Sequence, residues 1–294
     1  MAFNGVFEAP DINVSMFGLF ALTQPQAFSA SSDVDDKWVR GFNQEWDTRP
    51  NFVRNWDATD NTNVVVKSDA AAPRFAYIKP YFVEVEDFAS TFGVLGVDRF
   101  ERITRQLEAA TQKAVERELW EGEIAQGEAL ANPYLRSNTT AVTLNSGNAL
   151  SSRRALAALE FEIGSRSGVG FQGVIHMTRD VAALLASNSQ MLRHSEGKEH
   201  LETFNGTPIV IGSGYTGNGP MGDANANASI SNKWMYATGD VKTFVTDSDV
   251  VNDTLAQAYD VSGNANDMRI KATRAVASYF DTSVHLAVRV DLTA

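Results

Sequence analysis

DRFERITRQLEAATQKAVERELWEG, residues 98–122, has the strongest helical pattern in the chain. Its apolar residues recur three or four positions apart, as on one face of a helix. They are Phe100, Ile103, Leu107, Ala110, Ala114 and Leu119. Asp98 is suited to cap the helix and Gly122 to end it. A helix over residues 98–121 would run about 35 Å, roughly twice the usual length. We therefore predict a spine helix.

The sequence before this helix predicts extended chain that is rich in aromatic residues. Residues 1–37 have no clear period and predict an arm, whereas residues 38–80 predict a long β-hairpin-like excursion. Residues 81–88, YFVEVEDF, alternate as a strand does. A two-stranded ribbon is only marginally stable alone in water, and large rings on a thin segment need a surface to pack on. Composition leaves open whether that surface is the chain's own core or a neighbouring molecule.

After residue 127 the pattern changes to short helices and strands. Helices are predicted at residues 151–163 and 179–193, the second capped by Thr178. Strands are predicted at residues 171–177, 200–212, 233–239, 241–247, 268–280 and 284–292. Asn205-Gly206 lies between two apolar runs of residues 200–212 and predicts a hairpin turn there. The sequence shows no internal repeat. We predict that the last two strands pair with each other, with His285 on their polar face. The class is α+β.

The composition excludes several classes of protein. The chain has 294 residues, 44% hydrophobic residues, no cysteine and a formal net charge of -11. The apolar fraction is ample for a packed core, and the absence of cysteine excludes disulfides and thiolate chemistry. No apolar run is long enough to span a membrane, and no signal peptide is recognisable. The acidic balance argues against tight binding of nucleic acid.

One segment matches a nucleotide-binding motif. GSGYTG, from Gly212 to Gly217, has the G-x-G-x-x-G spacing after a predicted strand. A dinucleotide site needs that turn to open a helix. The residues that follow include Pro220 and many helix breakers, so we predict a turn that binds no nucleotide.

The other candidates for chemistry are weaker still. The four histidines do not have the spacing of a zinc peptidase, and His176 is predicted to be a satisfied core or edge residue of its strand. Carboxylate pairs such as Glu84 with Glu86 and Glu116 with Glu118 are interpreted as solvated surface. We therefore predict no catalytic residue, no metal ligand and no cofactor, and hence no enzyme.

The stretch LEAATQKAVERELWEGEIA, residues 107–125, carries a resemblance to a known family. This stretch resembles the spine helix of major capsid proteins from phages of actinobacteria. Four further stretches resemble the same family in order. They are STFGVLGVDRF (90–100), GVIHMTRDVAALLA (173–186), NGTPIVIGSGYTGNGP (205–220) and KWMYATGDV (233–241). The resemblance covers roughly residues 90–294.

The resemblance implies the Hong Kong 97-type phage capsid fold. It places an N-terminal arm at residues 1–37 and an extended loop at residues 38–80. A peripheral domain would comprise residues 81–126 and 240–294, and an axial domain residues 127–239. This scheme would explain the aromatic arm and the unsupported ribbon.

The implied function is self-assembly into hexamers and pentamers of an icosahedral shell around double-stranded DNA. The expected contacts between subunits are Phe3, Phe7, Phe17, Phe20, Trp46, Trp56 and Phe75. Scaffolding, portal and decoration proteins are further expected partners, DNA contact is expected to be weak and non-specific, and no membrane is expected. The location would be the virion, after assembly in the host cytoplasm.

Two alternatives remain open at this point. An encapsulin, a bacterial compartment shell, has the same fold, but the arm does not resemble its cargo-binding helix. A nucleotide-binding enzyme would depend on Gly212–Gly217 alone.

Overall fold

The computed structural model describes residues 17–28, 42–46, 74–90, 99–127, 132–166, 173–186, 192–194, 200–246 and 267–293. Its helices are α1 (Leu19–Thr23), α2 (Arg99–Glu121), α3 (Ser152–Arg166) and α4 (Arg179–Ala186). Its strands are β1 (Gln26–Phe28), β2 (Phe42–Trp46), β3 (Arg74–Ile78), β4 (Tyr81–Ser90), β5 (Val142–Thr143), β6 (Leu150–Ser151), β7 (Val174–Met177), β8 (Leu192–His194), β9 (Leu201–Thr203), β10 (Pro208–Ile211), β11 (Asn232–Thr238), β12 (Val241–Thr246), β13 (Asp267–Phe280) and β14 (His285–Asp291).

The predicted spine helix is confirmed as α2, which has 23 residues. Ile103, Leu107 and Leu119 are buried on one face. The helix ends at Gly122, whose φ of +65° is a left-handed conformation that glycine adopts without strain. Ala114 is half-buried. Asp98 and the side chain of Phe100 lie outside the described residues.

Two sheets share α2 as a common support. The first has four strands in the order β1-β12-β13-β4, and α2 packs against β13 and β4. The second has eight strands, in the order β5-β14-β11-β7-β10-β9-β8 with β6 beside β14. Ring residues of the second sheet, among them Trp234 and Tyr236, join Leu107 and Trp120 of α2 in one hydrophobic cluster.

The other face of the eight-stranded sheet carries α3 and α4. Leu156, Leu159 and Ile163 of α3 are buried there, as their helical spacing predicts. Val284, Leu286, Val288 and Val290 also lie in this second cluster. The alternation of apolar residues at the end of the chain therefore predicted the correct face of β14.

The predicted pairing of the last two strands is wrong. β13 pairs with β12 and β4 in the four-stranded sheet, whereas β14 pairs with β11, β5 and β6 in the other. Along β11 to β14 the chain passes from one sheet to the other at Gly239 and back at Asp281, and the N–H of Gly239 donates to the carbonyl of Asp281 at 3.0 Å. Alternation identifies a strand and its buried face, but it does not identify the partner.

Two further expectations about local structure are corrected. The helix predicted over residues 179–193 ends at Ala186, and residues 192–194 form strand β8 beside β9. His285, expected on a polar face, is buried, because β14 lies inside its sheet with a hydrophobic cluster on each side. The hairpin at Asn205-Gly206 is confirmed, since β9 and β10 pair antiparallel there.

The described part of the predicted arm, residues 17–28, packs on the core of its own chain, which is one of the two possibilities that composition leaves open. Leu19 is fully buried, and Phe20 is half-buried against the same cluster as α2. β1 pairs in parallel with β12. The predicted ribbon is described only at one end, where β2 and β3 pair antiparallel from Phe42–Ile78 to Trp46–Arg74.

Candidate functional site

The most elaborate polar arrangement in the described residues joins α2 to the glycine-rich turn. At its centre is Glu116, which is fully buried. Its Oε1 accepts the N–H of Leu19 at 2.9 Å and the Nε2–H of Gln112 at 2.8 Å. Its Oε2 accepts the Ser213 hydroxyl at 3.0 Å and the N–H of Gly214 at 2.9 Å. A buried carboxylate with two donors on each oxygen is a strong structural tie.

Glu121, one turn and a half later on α2, holds the same turn farther along. Its carboxylate accepts the hydroxyl of Thr216, the Nδ2–H of Asn218 at 2.9 Å and a guanidinium N–H of Arg136. Burial alone would raise the pKa of Glu121, but hydrogen bonds from Thr216, Asn218 and Arg136 outweigh it and lower the pKa below its usual value. Glu121 is therefore a fixed anion.

The turn approaches α2 so closely that one position requires glycine. A Cβ at Gly214 would lie 2.2 Å from the carbonyl oxygen of Lys113 and 2.8 Å from the backbone nitrogen of Arg117. Both obstacles are helix backbone and cannot move aside. The second glycine of the motif, Gly214, therefore serves packing between the turn and α2.

Aromatic rings complete the contact between α2 and residues 212–218 of the glycine-rich turn, which we call the junction. The Trp120 ring lies 4.6 Å from the Tyr215 ring and 4.9 Å, edge-on, from the Tyr236 ring. The Trp120 Nε1–H and the Tyr236 hydroxyl both donate to the carbonyl of Asn218, at 3.0 and 3.1 Å. Burial, and then the charge of Glu116, raise the pKa of Tyr215. The Tyr215 hydroxyl therefore stays protonated. Ring contacts and hydrogen bonds together hold residues 215–218 against α2.

Two buried histidines extend this network into the sheet. The Thr238 hydroxyl donates to the Gly239 carbonyl at 2.9 Å, so it accepts the Nε2–H of His176 at 2.9 Å. Nδ1 of the neutral ring then accepts the Tyr215 hydroxyl at 2.8 Å. His285 donates from Nε2 to the carbonyl of Leu135 at 3.0 Å. Burial lowers the pKa of His176 to about 3, and burial also lowers the pKa of His285 to about 4. His176 is confirmed as a satisfied core residue.

This geometry is unsuited to nucleotides. No helix follows Gly212–Gly217, and residues 218–231 are turns and irregular chain. The Gly214 N–H, which a phosphate would need, already donates to the Glu116 carboxylate. A second anion there would meet a buried negative charge.

The described residues were also compared with what a metal site and a membrane-spanning helix require. Among the described residues, no group of three or more His, Asp or Glu side chains is placed to hold a metal ion. In the same part of the chain, the helices lack the combined length and apolarity that crossing a bilayer needs.

A second candidate surface is an exposed apolar groove between α3 and the β9–β10 hairpin. It encloses about 410 Å³. Its lining consists of Leu156, Ala157, Glu160, Phe161, Thr203, Phe204 and Asn205. Phe161 is 72% exposed and Phe204 76% exposed, which is unusual for large rings unless they meet a partner.

The predicted contact residues are only partly described. Phe3, Phe7 and Trp56 lie outside the described residues, and only the backbone of Trp46 and Phe75 is described. Phe17 and Phe20 contact their own chain. The backbone carbonyl of Phe17 accepts the N–H of Ile211 at 2.8 Å, and the Phe20 side chain packs on the core. A role for these seven residues between subunits stays a prediction.

The interpretation of Glu116 and Glu118 as solvated surface is wrong. Both are buried, and Glu118 accepts the N–H of Ala125 at 2.9 Å beyond the helix end. A signal was present: Glu116 lies four residues from Gln112 and from Trp120, in a row of α2 that faces inward. Glu84 is exposed, as expected.

No protein-family model and no curated protein sequence matches the chain. Solved structures do. The capsid of an empty GTA particle aligns with a TM-score of 0.51 at 12% identity, over 99% of this chain and 100% of the other. A structure of Mycobacterium phage Ogopogo aligns with a TM-score of 0.51 at 16% identity, over 97% and 94%. A holo-SrpI encapsulin complex from Synechococcus elongatus aligns less well, with a TM-score of 0.41 at 12% identity, over 77% and 81%.

The first two likenesses span both chains almost completely and reproduce a mixed fold of helices and sheets. At these identities they establish architecture and leave function to be argued separately. The chain therefore shares its fold with the major capsid proteins of tailed phages.

Proposed function

We propose that this chain is a major capsid protein of a tailed bacteriophage, which assembles into hexamers and pentamers of an icosahedral shell around double-stranded DNA. The observation that carries the proposal is the likeness to the capsid of an empty GTA particle over the whole of both chains. A likeness over whole chains is hard to explain by one shared motif. The proposed role is structural rather than enzymatic.

The two sheets support the domain division that the sequence predicts. In the proposal, α2 with β4, β12 and β13 of the four-stranded sheet is the core of the peripheral domain, within residues 81–126 and 240–294, and β1 of the arm joins this sheet. The eight-stranded sheet with α3 and α4 is the axial domain, built mainly from residues 127–239. β14 comes from the C-terminal segment and pairs into that second sheet, which joins the two parts.

The junction at Glu116 and Glu121 suits a shell subunit. A subunit under load from its neighbours must keep the angle between its two parts. The hydrogen bonds of Glu116 and Glu121 to residues 213–218 tie α2 to the edge of the axial part. Because these bonds are buried or partly buried, surrounding salt screens them less than it screens exposed pairs.

The arm and the extended loop would hold neighbouring subunits. A ribbon such as β2–β3 is marginal alone and gains stability on another surface. In the proposal Phe3, Phe7, Trp46, Trp56 and Phe75 are buried at such contacts. Many modest contacts acting together then hold the shell.

The proposed location is the virion, after assembly in the host cytoplasm. The net charge of -11 fits weak, non-specific contact with packaged DNA, because tight binding needs clustered cations. Scaffolding, portal and decoration proteins are proposed as partners on the same basis.

Negative-stain microscopy of the expressed full chain, paired with light scattering, tests the proposal. We expect shells, hexamers or pentamers, and no stable compact species near 32 kDa. The matched control is a chain that lacks residues 2–16, which should stay folded and assemble poorly. A monodisperse monomer at all concentrations, with a scaffold partner present, would contradict the proposal. An encapsulin would instead give closed shells that retain a specific cargo protein.

A further inference from the structure

The groove between α3 and the β9–β10 hairpin has a counterpart elsewhere on the chain. Ile230 is 96% exposed, the highest exposure among the large apolar side chains of the described residues. It lies in a loop that precedes β11, far in sequence from the groove. The distance between Ile230 and the groove along the sheet determines whether they can meet within one chain or only between two copies.

The sheet topology places them at opposite ends of the eight-stranded sheet. Ile230 lies two residues before β11 begins at Asn232. The β9–β10 turn lies beyond the end at which β11 finishes, because β10 runs parallel to β7, and β7 is antiparallel to β11 with Val174 opposite Thr238. Seven residues of β11 alone span about 20 Å.

Helix α3 gives an independent measure of the same separation. It starts directly after β6, whose Leu150 pairs with Val290 near the Ile230 end of the sheet. Its 15 residues then advance about 22 Å. Glu160, the ninth of those residues and so about 12 Å along the helix, accepts the Asn205 Nδ2–H at 3.1 Å, in the groove. Ile230 therefore cannot fill the groove of its own chain.

The groove has a chemical requirement besides its apolar lining. The Oε1 atom of Glu160 is buried and has no hydrogen-bond partner, although Glu160 lines the groove. A buried acceptor without a donor is unfavourable. An occupant should therefore present an apolar side chain next to neutral or positive donors, and a carboxylate beside it would be repelled.

The loop around Ile230 meets that requirement. Residues 224–232 read ANANASISN and contain no carboxylate. The exposed Asn227 offers amide donors, and the Ser229 and Ser231 hydroxyls, which bond to each other at 3.1 Å, leave one hydroxyl proton for a partner. The loop is also held in shape. Ser229 donates its N–H to the Asn232 carbonyl, and Leu292 donates to the Ser231 carbonyl, each at 2.8 Å. A loop ordered in advance loses little entropy on docking.

We infer that the Ile230 loop of one copy docks in the Phe161–Phe204 groove of the next copy around a ring. The inference rests on the proposed function, because a ring subunit needs two different surfaces, one for each neighbour. A groove at one end of a sheet and a projecting apolar side chain at the other are such a pair. In the proposed shell, the eight-stranded sheet would then form this interface between neighbouring subunits of a ring.

Disulfide trapping tests this contact directly, since the chain has no cysteine. A disulfide forms only when the two Cα atoms come within about 7 Å. The variant with both Phe204→Cys and Ile230→Cys, oxidised as assembled particles, should give a ladder of covalent oligomers beyond the dimer. Each single variant should remain a single chain on a denaturing gel. The control pairs Ile230→Cys with Phe82→Cys, an exposed phenylalanine on β4.

Several outcomes would overturn the inference. Dimers from Phe204→Cys alone would show groove meeting groove, and an equal ladder from the control would show random collision. Normal particles without any ladder would refute this contact and leave the proposed function intact. Failure of the unaltered chain to form rings or shells would refute the proposed function, and this inference with it.

A second pair of variants needs no crosslink. Ile230→Ser and Phe204→Ser should each abolish or strongly reduce assembly while the thermal melt stays unchanged, because both side chains are exposed. Phe82→Ser is the matched control and should assemble more fully than either. Normal assembly by Ile230→Ser would overturn the inference.

Discussion

The Oε1 atom of Glu116 accepts the backbone N–H of Leu19 at 2.9 Å, across 97 residues of sequence. The same carboxylate binds Ser213 and Gly214 through its other oxygen, 97 and 98 residues in the opposite direction. One side chain thus connects the arm, the spine helix and the glycine-rich turn. This makes Glu116 the most informative position for mutation.

Glu116→Ala should destabilise the fold by about 3 kcal/mol or more, because each buried donor left unpaired costs about 1–3 kcal/mol. Denaturant unfolding of the subunit measures the change. Glu108→Ala is the control, since Glu108 is exposed on the same helix, and it should change stability by less than about 0.5 kcal/mol. Equal effects from the two variants would refute the central role of Glu116.

Leu107→Ala should cost about 2–5 kcal/mol, since Leu107 is fully buried and its removal leaves a cavity. The measurement is the same unfolding experiment, with Lys113→Ala at an exposed position of α2 as the control. A loss below about 0.5 kcal/mol would show that this face of the helix is not buried.

Acid should destabilise the subunit through His176 and His285. Their folded pKa values, about 3 and about 4, lie below the value of 6.5 in an unfolded chain. The unfolded state therefore binds protons first as pH falls below about 6.5. Stability present above that pH is lost toward pH 4, by up to about 1.4 kcal/mol per pH unit for each histidine.

Unfolding measured from pH 7 to pH 4.5 checks this dependence. His285→Asn should flatten the profile, whereas His194→Asn, at an exposed position, should leave it unchanged. If His285→Asn and the unaltered chain showed the same slope, titration of His285 would not contribute.

The glycine-rich turn should bind no nucleotide, because the Glu116 carboxylate already accepts the Gly214 N–H. Calorimetry with millimolar NAD, ATP or GTP should show no saturable heat. Binding in the micromolar range would instead support the enzyme alternative at Gly212–Gly217.

Two truncations should separate the parts of the arm. Removing residues 2–16 should leave a cooperative melt and weaken shell formation, because Phe3 and Phe7 are proposed contacts between subunits. Removing residues 2–30 should also destabilise the subunit, since it deletes the buried Leu19 and strand β1. Melting and microscopy of the same samples decide. Normal shells from the shorter truncation would refute the proposed clasp.

The sequence by itself determined the local elements of this protein. The spacing of Ile103, Leu107 and Leu119 predicted α2, Asn205-Gly206 predicted a hairpin, and the alternation at the end of the chain predicted the buried face of β14. Each of these signals is a period or a turn residue within a short window, and short-range physics is sufficient to read it.

Only the tertiary structure decided which strands pair and which polar residues are buried. The separation of β13 from β14 depends on partners that lie far away in the chain, and no alternation encodes a partner. Glu116 looked like surface because a carboxylate usually is surface. It is buried because Leu19, Ser213 and Gly214 supply donors from about 97 residues away on either side, and their meeting at one point is a property of the folded chain alone.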